Sequence, residues 1–312
     1  MPYAAMLIGY VEEFTVLTLT LALLQAALAN TAGVTVQDAS SSLQSKAQCV
    51  SFNWVSDDKN SPRAAISVPI KINGRIVPLQ LDTGSDATVL YGQVADHAGW
   101  ASHGRKSFRA TSLMIGSTLI DRPEIYVARD MEEDARLVGT LGLPELMGRI
   151  TVIDYPRQRF CLFSEADLPS PLRSVTYVRA DLRHSKFFVP VAVDAFRSDA
   201  VIFDTGSSLM PLTVDLAAWK KMTSLTDVAQ APTAIKGSAW GKSVTMSGAL
   251  AAGTMMVGKL SLGKQTVFTD GDQPTAYADW PFRADGVLGN ASLWDGVVIV
   301  DLTSKIRFGF IR

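Results

Sequence analysis

Residues 67–92, SVPIKINGRIVPLQLDTGSDATVLYG, and residues 187–212, FFVPVAVDAFRSDAVIFDTGSSLMPL, carry one pattern twice. Pro69 stands 13 residues before Asp82, and Pro190 stands 14 before Asp204. In each copy apolar residues alternate with others, a turn interrupts them, and a short apolar run ends in Asp-Thr-Gly-Ser. Alternation with period two marks a strand with one buried face, so each copy reads as a two-stranded hairpin. The first turn falls at Asn73-Gly74, a pair favoured where both central residues need positive φ. The second is expected near Phe196-Arg197-Ser198-Asp199.

The copies stay in step further on. Val138-Gly139-Thr140-Leu141-Gly142-Leu143 answers Asp285-Gly286-Val287-Leu288-Gly289-Asn290, and 12 residues separate Gly142 from Asp154 and Gly289 from Asp301. Only the middle differs: 60 residues run from Asp82 to Gly142, and 85 from Asp204 to Gly289. The surplus falls around residues 225–282. TVDLAAWKKM (213–222) reads as a helix, with Thr213 as N-cap and Lys220 and Lys221 in the last turn. LMIGSTLIDRPEIYVAR and MMVGKLSLGKQTVFTD each read as strands broken by a glycine turn. The chain therefore divides into two β-rich halves, residues 64–170 and 171–312, at LPSPLRS (168–174).

Composition narrows the chemistry. The 312 residues carry 29 Lys+Arg against 30 Asp+Glu, a net charge of −1, with 47% hydrophobic and 19% charged residues. No basic surplus is available for a nucleic-acid partner. Three histidines and two cysteines exclude zinc fingers and HExxH metalloproteases. GSAWGKS (237–243) falls one residue short of a phosphate-binding loop. Asp96, His97 and His103 read as a solvated loop, so neither metal nor cofactor is expected. Catalysis must come from carboxylates, hydroxyls or backbone.

Two carboxylates offer one. Asp82 and Asp204 each follow an apolar strand into a poorly solvated place. Carboxyl groups held about 3 Å apart share one proton and titrate as a pair. One member takes a proton from water while the other gives one to a carbonyl oxygen, which is general acid–base hydrolysis. A single DTGS is equally well a strand-end turn, since all four residues are turn formers. Two of them in the same setting, each followed by its own glycine element, argue for a shared site.

The two motifs resemble those of aspartic proteases. LDTGSDATVL (81–90) looks like the retroviral-protease form, with Asp86 two residues past the glycine, and FDTGSSLMPL (203–212) is closer to the pepsin form. The family's hydrophobic-hydrophobic-Gly signature matches Thr140-Leu141-Gly142 and Val287-Leu288-Gly289. The resemblance covers residues 65–312 and implies an all-β fold: two pseudo-symmetric, retropepsin-like lobes with an active-site cleft between them. It implies that Asp82 and Asp204 are the catalytic pair, acting on a polypeptide substrate. Thr83 and Thr205 would bond across the axis. Gly84 and Gly206 would offer carbonyls to the substrate backbone, and the Ser85 and Ser207 hydroxyls would bond the outer carboxylate oxygens. An acidic optimum and a monomer follow. The flap such enzymes need is weak in the first half (97–112, with Trp100) and better in KGSAWGKSVTMSG (236–248), whose expected tip is Trp240-Gly241. A peptide-binding pseudoprotease on the same fold is the alternative.

The N-terminus suggests export. FTVLTLTLALLQAALA (14–29) is apolar, ends in a small-x-small pattern and is short for a membrane span, so residues 1–29 read as a signal peptide, although Glu12 and Glu13 precede the run where basic residues are usual. Residues 30–63 read as a linker with one strand, CVSFNWV. Cys49 and Cys161, 112 residues apart, either pair in an oxidising compartment or remain two buried thiols.

Overall fold

The computed structural model describes residues 33–56, 61–102, 104–239 and 242–312. The expected signal peptide lies outside the described residues. The first half forms strands β1 (Cys49–Ser51), β2 (Asn53–Val55), β3 (Ala65–Ile72), β4 (Arg75–Leu81), β5 (Val89–Tyr91), β6 (Ser107–Arg109), β7 (Ser112–Ile115), β8 (Thr118–Asp121), β9 (Glu124–Ala128), β10 (Gly139–Leu141), β11 (Ile150–Asp154) and β12 (Arg159–Phe163). The second forms β13 (Tyr177–Arg179), β14 (Asp181–Arg183), β15 (Lys186–Val193), β16 (Phe196–Phe203), β17 (Leu212–Thr213), β18 (Thr233–Ala239), β19 (Lys242–Leu250), β20 (Met255–Val257), β21 (Leu260–Gly263), β22 (Thr266–Asp270), β23 (Gly286–Leu288), β24 (Val297–Asp301) and β25 (Arg307–Ile311). Helices α1 (Val36–Leu43) and α2 (Leu216–Thr223) accompany them.

Each half builds its own sheet, in the order β6-β9-β5-β10-β4-β3-β7-β8 and β19-β22-β17-β23-β16-β15-β20-β21, with β2 on β3 and β14 on β15. The two orders correspond strand for strand. Part of the surplus of the second half is β18, which pairs with β19 as a long hairpin at the sheet edge. A third sheet, β1-β12-β11-β24-β25-β13, takes strands from both halves. Its axis lies between β11 and β24, where Ile150 faces Asp301, Val152 faces Ile299 and Asp154 faces Val297. One face of this sheet, with Val152, Phe163, Val297 and Ile299, packs under Ala39, Leu43, Leu168 and Leu172; the other joins the main core. The architecture is thus all-β and two-lobed, as the repeat leads one to expect.

Three local expectations are corrected. The stretch 30–63 is not simply a linker. Thr35 and Asp38 form a capping box that starts α1, which buries Ala39, Ser40 and Leu43 while Gln37, Asp38 and Ser41 stay exposed. β1 then pairs with β12, and the register puts Cys49 opposite Cys161 in a disulfide. Closing so long a loop stabilises the fold by about 4–5 kcal/mol in the chain-entropy view. Second, the turn of the second hairpin is at Asp194-Ala195, because Val193 pairs with Phe196. Asp194 adopts φ 49°, which aspartate tolerates through its short polar side chain. The extra residue between Pro190 and Asp204 is absorbed by a bulge opposite Pro190, which cannot donate to the ladder. Third, Thr213 lies in β17 and helix α2 begins later, with Asp215 at its N-cap.

Candidate active site

Parallel pairing of β4 with β10 and of β16 with β23 delivers each DTGS to the same place in its lobe. The Asp82 N–H donates to the Leu141 carbonyl at 3.1 Å, and the Asp204 N–H to that of Leu288 at 3.0 Å. At the junction of the lobes the threonines interlock. The Thr83 hydroxyl donates to the Phe203 carbonyl (2.9 Å) and accepts from the Thr205 N–H (3.1 Å). The Thr205 hydroxyl donates to the Leu81 carbonyl (2.9 Å) and accepts from the Thr83 N–H (2.9 Å). Both threonines are fully buried, so these four bonds are shielded from water.

The two aspartates meet across this grip. A Cβ added to Gly84 would lie 2.4 Å from Asp204 Cγ, and one added to Gly206 would lie 2.7 Å from Asp82 Cγ. Each carboxyl therefore rests against the glycine of the opposite motif, where no side chain fits. Both aspartates are half-buried. Burial, followed by the negative charge of Asp204 and a hydrogen bond with it, pushes the Asp82 carboxyl well above its ordinary range, against the opposing pull of the Ser85 and Gly84 N–H groups. The Ser85 N–H donates to Asp82 Oδ1 at 2.9 Å and the Gly206 N–H to Asp204 Oδ1 at 2.7 Å. Such a pair can hold one proton and present a donor and an acceptor together.

The serine hydroxyls do not take the part expected of them. Ser85 Oγ donates to the Ala87 carbonyl at 2.8 Å, and its backbone N–H serves Asp82 instead. Among the described residues no hydrogen bond joins the Ser207 hydroxyl to Asp204. Trp100 packs against Phe108, with ring centroids 6.1 Å apart. Trp240 and Gly241 lie outside the described residues.

Several contacts escaped the motif reading. The Gly84 carbonyl accepts from Lys186 Nζ at 2.5 Å, and the Gly206 carbonyl from Gln80 Nε2 at 3.4 Å. Asn290, fully buried, donates its amide to the Thr205 carbonyl (2.6 Å) and to Ser208 Oγ (2.9 Å), and accepts from the buried Tyr155 hydroxyl (2.5 Å). On the flanks the Tyr91 and Thr140 hydroxyls bond each other, as do those of Tyr277 and Thr213. Burial raises both tyrosines, and the adjacent charge of Asp82 or Asp204 adds to it. Asn290 alone had a sequence signal: it follows the second hydrophobic-hydrophobic-Gly where the first is followed by Leu143.

Fold and site together define a two-lobed β protein with a carboxyl pair at the junction of its lobes. No protein-family model and no curated protein matches the chain. Among solved structures it is similar to basic 7S globulin from soybean, at 12% identity and TM-score 0.48, over 85% of this chain and 95% of that one. It is similar to an aspartic proteinase from Irpex lacteus at 14% identity and TM-score 0.47, over 80% and 94% of the two chains. Conglutin gamma, a basic 7S globulin from lupine seeds, is similar at 10% identity and TM-score 0.46, over 85% and 94%.

Proposed function

We propose that this chain is an aspartic-type endopeptidase that hydrolyses extended polypeptides at apolar residues. The observation that carries this reading is the seating of each carboxyl on the opposite motif's glycine. Asp82, whose pKa is raised by burial and by the Asp204 charge, is the acid: it gives its proton to the scissile carbonyl oxygen. Asp204 is the base: it takes a proton from a water whose oxygen forms the new bond to the carbonyl carbon. The C–N bond then breaks as the leaving nitrogen takes the proton from Asp204, while a diol hydroxyl returns its proton to Asp82 and becomes the carbonyl of the product acid, so the pair again holds one proton. Above the raised Asp82 pKa both groups are ionised and no donor is left, so activity falls as pH rises. A monomer suffices, because both aspartates come from one chain. The disulfide supports an exported protein, since such bonds persist in oxidising compartments.

The test is cleavage of an unfolded protein between pH 3 and 7, with and without a pepstatin-type inhibitor. Asp82→Asn and Asp204→Asn should each abolish it; cleavage that survives either change refutes the proposal. A second reading, a peptide-binding pseudoprotease, draws on the Lys186 and Gln80 side chains already seated on the Gly84 and Gly206 carbonyls. Binding without turnover by the unaltered chain would favour it.

A further inference from the structure

Lys186 opens β15 directly after a two-residue turn, His184-Ser185, that joins it to β14; Arg183 faces Lys186 in register. Both turn residues are left-handed, with φ of 51° and 55°, where glycine or asparagine is usual. A conformation so unfavourable persists only where its surroundings impose it. Here the His184 ring stacks on Phe282 at 4.8 Å, and Phe282 stands edge-on to Phe188 and to Trp280 at 6.3 and 5.4 Å. The Arg183 guanidinium covers the Phe188 ring at 4.1 Å. The turn is clamped, and from it Lys186 reaches into the other lobe, to the carbonyl of the glycine on which the Asp204 carboxyl rests.

The partner is the anomaly. Neighbouring cations have carboxylates: Arg183 has Asp181 at 2.6 Å, Arg283 has Asp285 at 2.6 Å and Arg307 has Asp301 at 2.7 Å. Among the described residues no carboxylate pairs with Lys186, which is half-buried. The Gly84 carbonyl is neutral and uses one of three ammonium N–H groups. A strut between lobes would not need the charge, since Gln80 makes the corresponding contact to Gly206 with an uncharged amide. A partly buried ammonium whose direct contact is a neutral carbonyl gains from a carboxylate that reaches it directly.

We infer that Lys186 is a specificity-determining residue: it selects polypeptides carrying an Asp or Glu side chain beside the bond held at the dyad, on the Gly84 side, by pairing with that carboxylate. This rests on the reading of the cleft as a polypeptide site, though not on turnover. Binding therefore tests it, in the full chain carrying Asp82→Asn, with Asp204→Asn as a second background. The probes are fluorescent octapeptides of apolar centre, with Glu, Gln or Lys scanned through the flanking positions at pH 6. At one position Glu should bind about fivefold more tightly than Gln, the scale of a partly exposed ion pair, and added salt should shrink that preference. Lys186→Met, checked for an unchanged melting temperature, should abolish the preference, and Lys186→Glu should turn it toward Lys. Equal binding of Glu and Gln peptides, or a preference that survives Lys186→Met, overturns the inference. Cleavage by the unaltered chain without charge preference would overturn this inference alone, leaving the protease reading intact. Charge-selective binding without cleavage sustains the inference and removes the protease. A chain that binds none of the peptides overturns both.

Discussion

The loops carrying Asp82 and Asp204 share their backbone pairing as far as Gly142 and Gly289 and part company at that glycine. In both, the aspartate N–H bonds the residue before that glycine, and the residue after it donates to the motif serine: Leu143 to the Ser85 carbonyl and Asn290 to that of Ser207, each at 2.9 Å. In the first loop the Gly142 N–H goes to Thr88 Oγ1 at 3.0 Å, Thr88 bonds the buried Glu145 carboxyl, and Leu143 lies in the apolar core. In the second the Gly289 N–H goes to the Pro211 carbonyl, and Asn290 ties the loop to Tyr155 of the other half. Tyr155 itself corresponds to Leu302. Two identical tetrapeptides thus sit in unlike supports, one packed and one wired, and this inequality frees the two carboxyls from having to behave as equals.

The symmetric part should give symmetric losses. Thr83→Val and Thr205→Val each strip the fold of two buried hydrogen bonds and orphan a carbonyl and an N–H, so each should lower unfolding free energy by about 3 kcal/mol in urea titrations. Unequal losses would mean that the grip is not shared evenly. Next, Gly84→Ala sets a methyl where the Asp204 carboxyl lies and Gly206→Ala does so for Asp82; displacement of the order of 1 Å should cost about a hundredfold in kcat on a peptide substrate. Asn290→Leu, which copies the first half, should lower stability by about 2 kcal/mol, because the Tyr155 hydroxyl loses its acceptor and the Thr205 carbonyl keeps only the longer bond from Ser208 Oγ; a neutral result would show that the wired loop does not need its relay. The smallest effect concerns pH. The folded state raises the Asp82 pKa, so its contribution is complete below the unfolded value of about 3.9 and is lost as pH rises through the folded value. Asp82→Asn should therefore raise the melting temperature at pH 7 relative to the unaltered chain, with no such gain at pH 3.

The shared parts of the two loops are those legible in the sequence. A period-two pattern, Asn73-Gly74 and a repeated DTGS determine hairpins, a parallel pairing and a junction, all set by local chemistry. The turn at Asp194-Ala195 was not legible, because Arg197-Ser198-Asp199 is the more polar stretch and only the bulge opposite Pro190 reveals the true register. Helix α1 was hidden by composition: DASSS reads as linker until Ala39 and Leu43 find the shared sheet to cover. Lys186, Gln80 and Tyr155 act across the lobes from 102, 126 and 135 residues away, and no spacing rule reports such contacts. Asn290 was visible only as the place where one copy departs from the other.

The seam between β11 and β24 joins a strand to its own counterpart, antiparallel about an axis through the sheet. Such an edge is its own complement. A single lobe cut free would carry an open strand able to accept an identical neighbour, closing into a symmetric pair with two equal motifs at its centre. By the same logic a nick within 168–174 would leave two fragments clasped along five residue pairs, and the covalent link between the lobes would be a convenience of inheritance rather than a requirement of assembly.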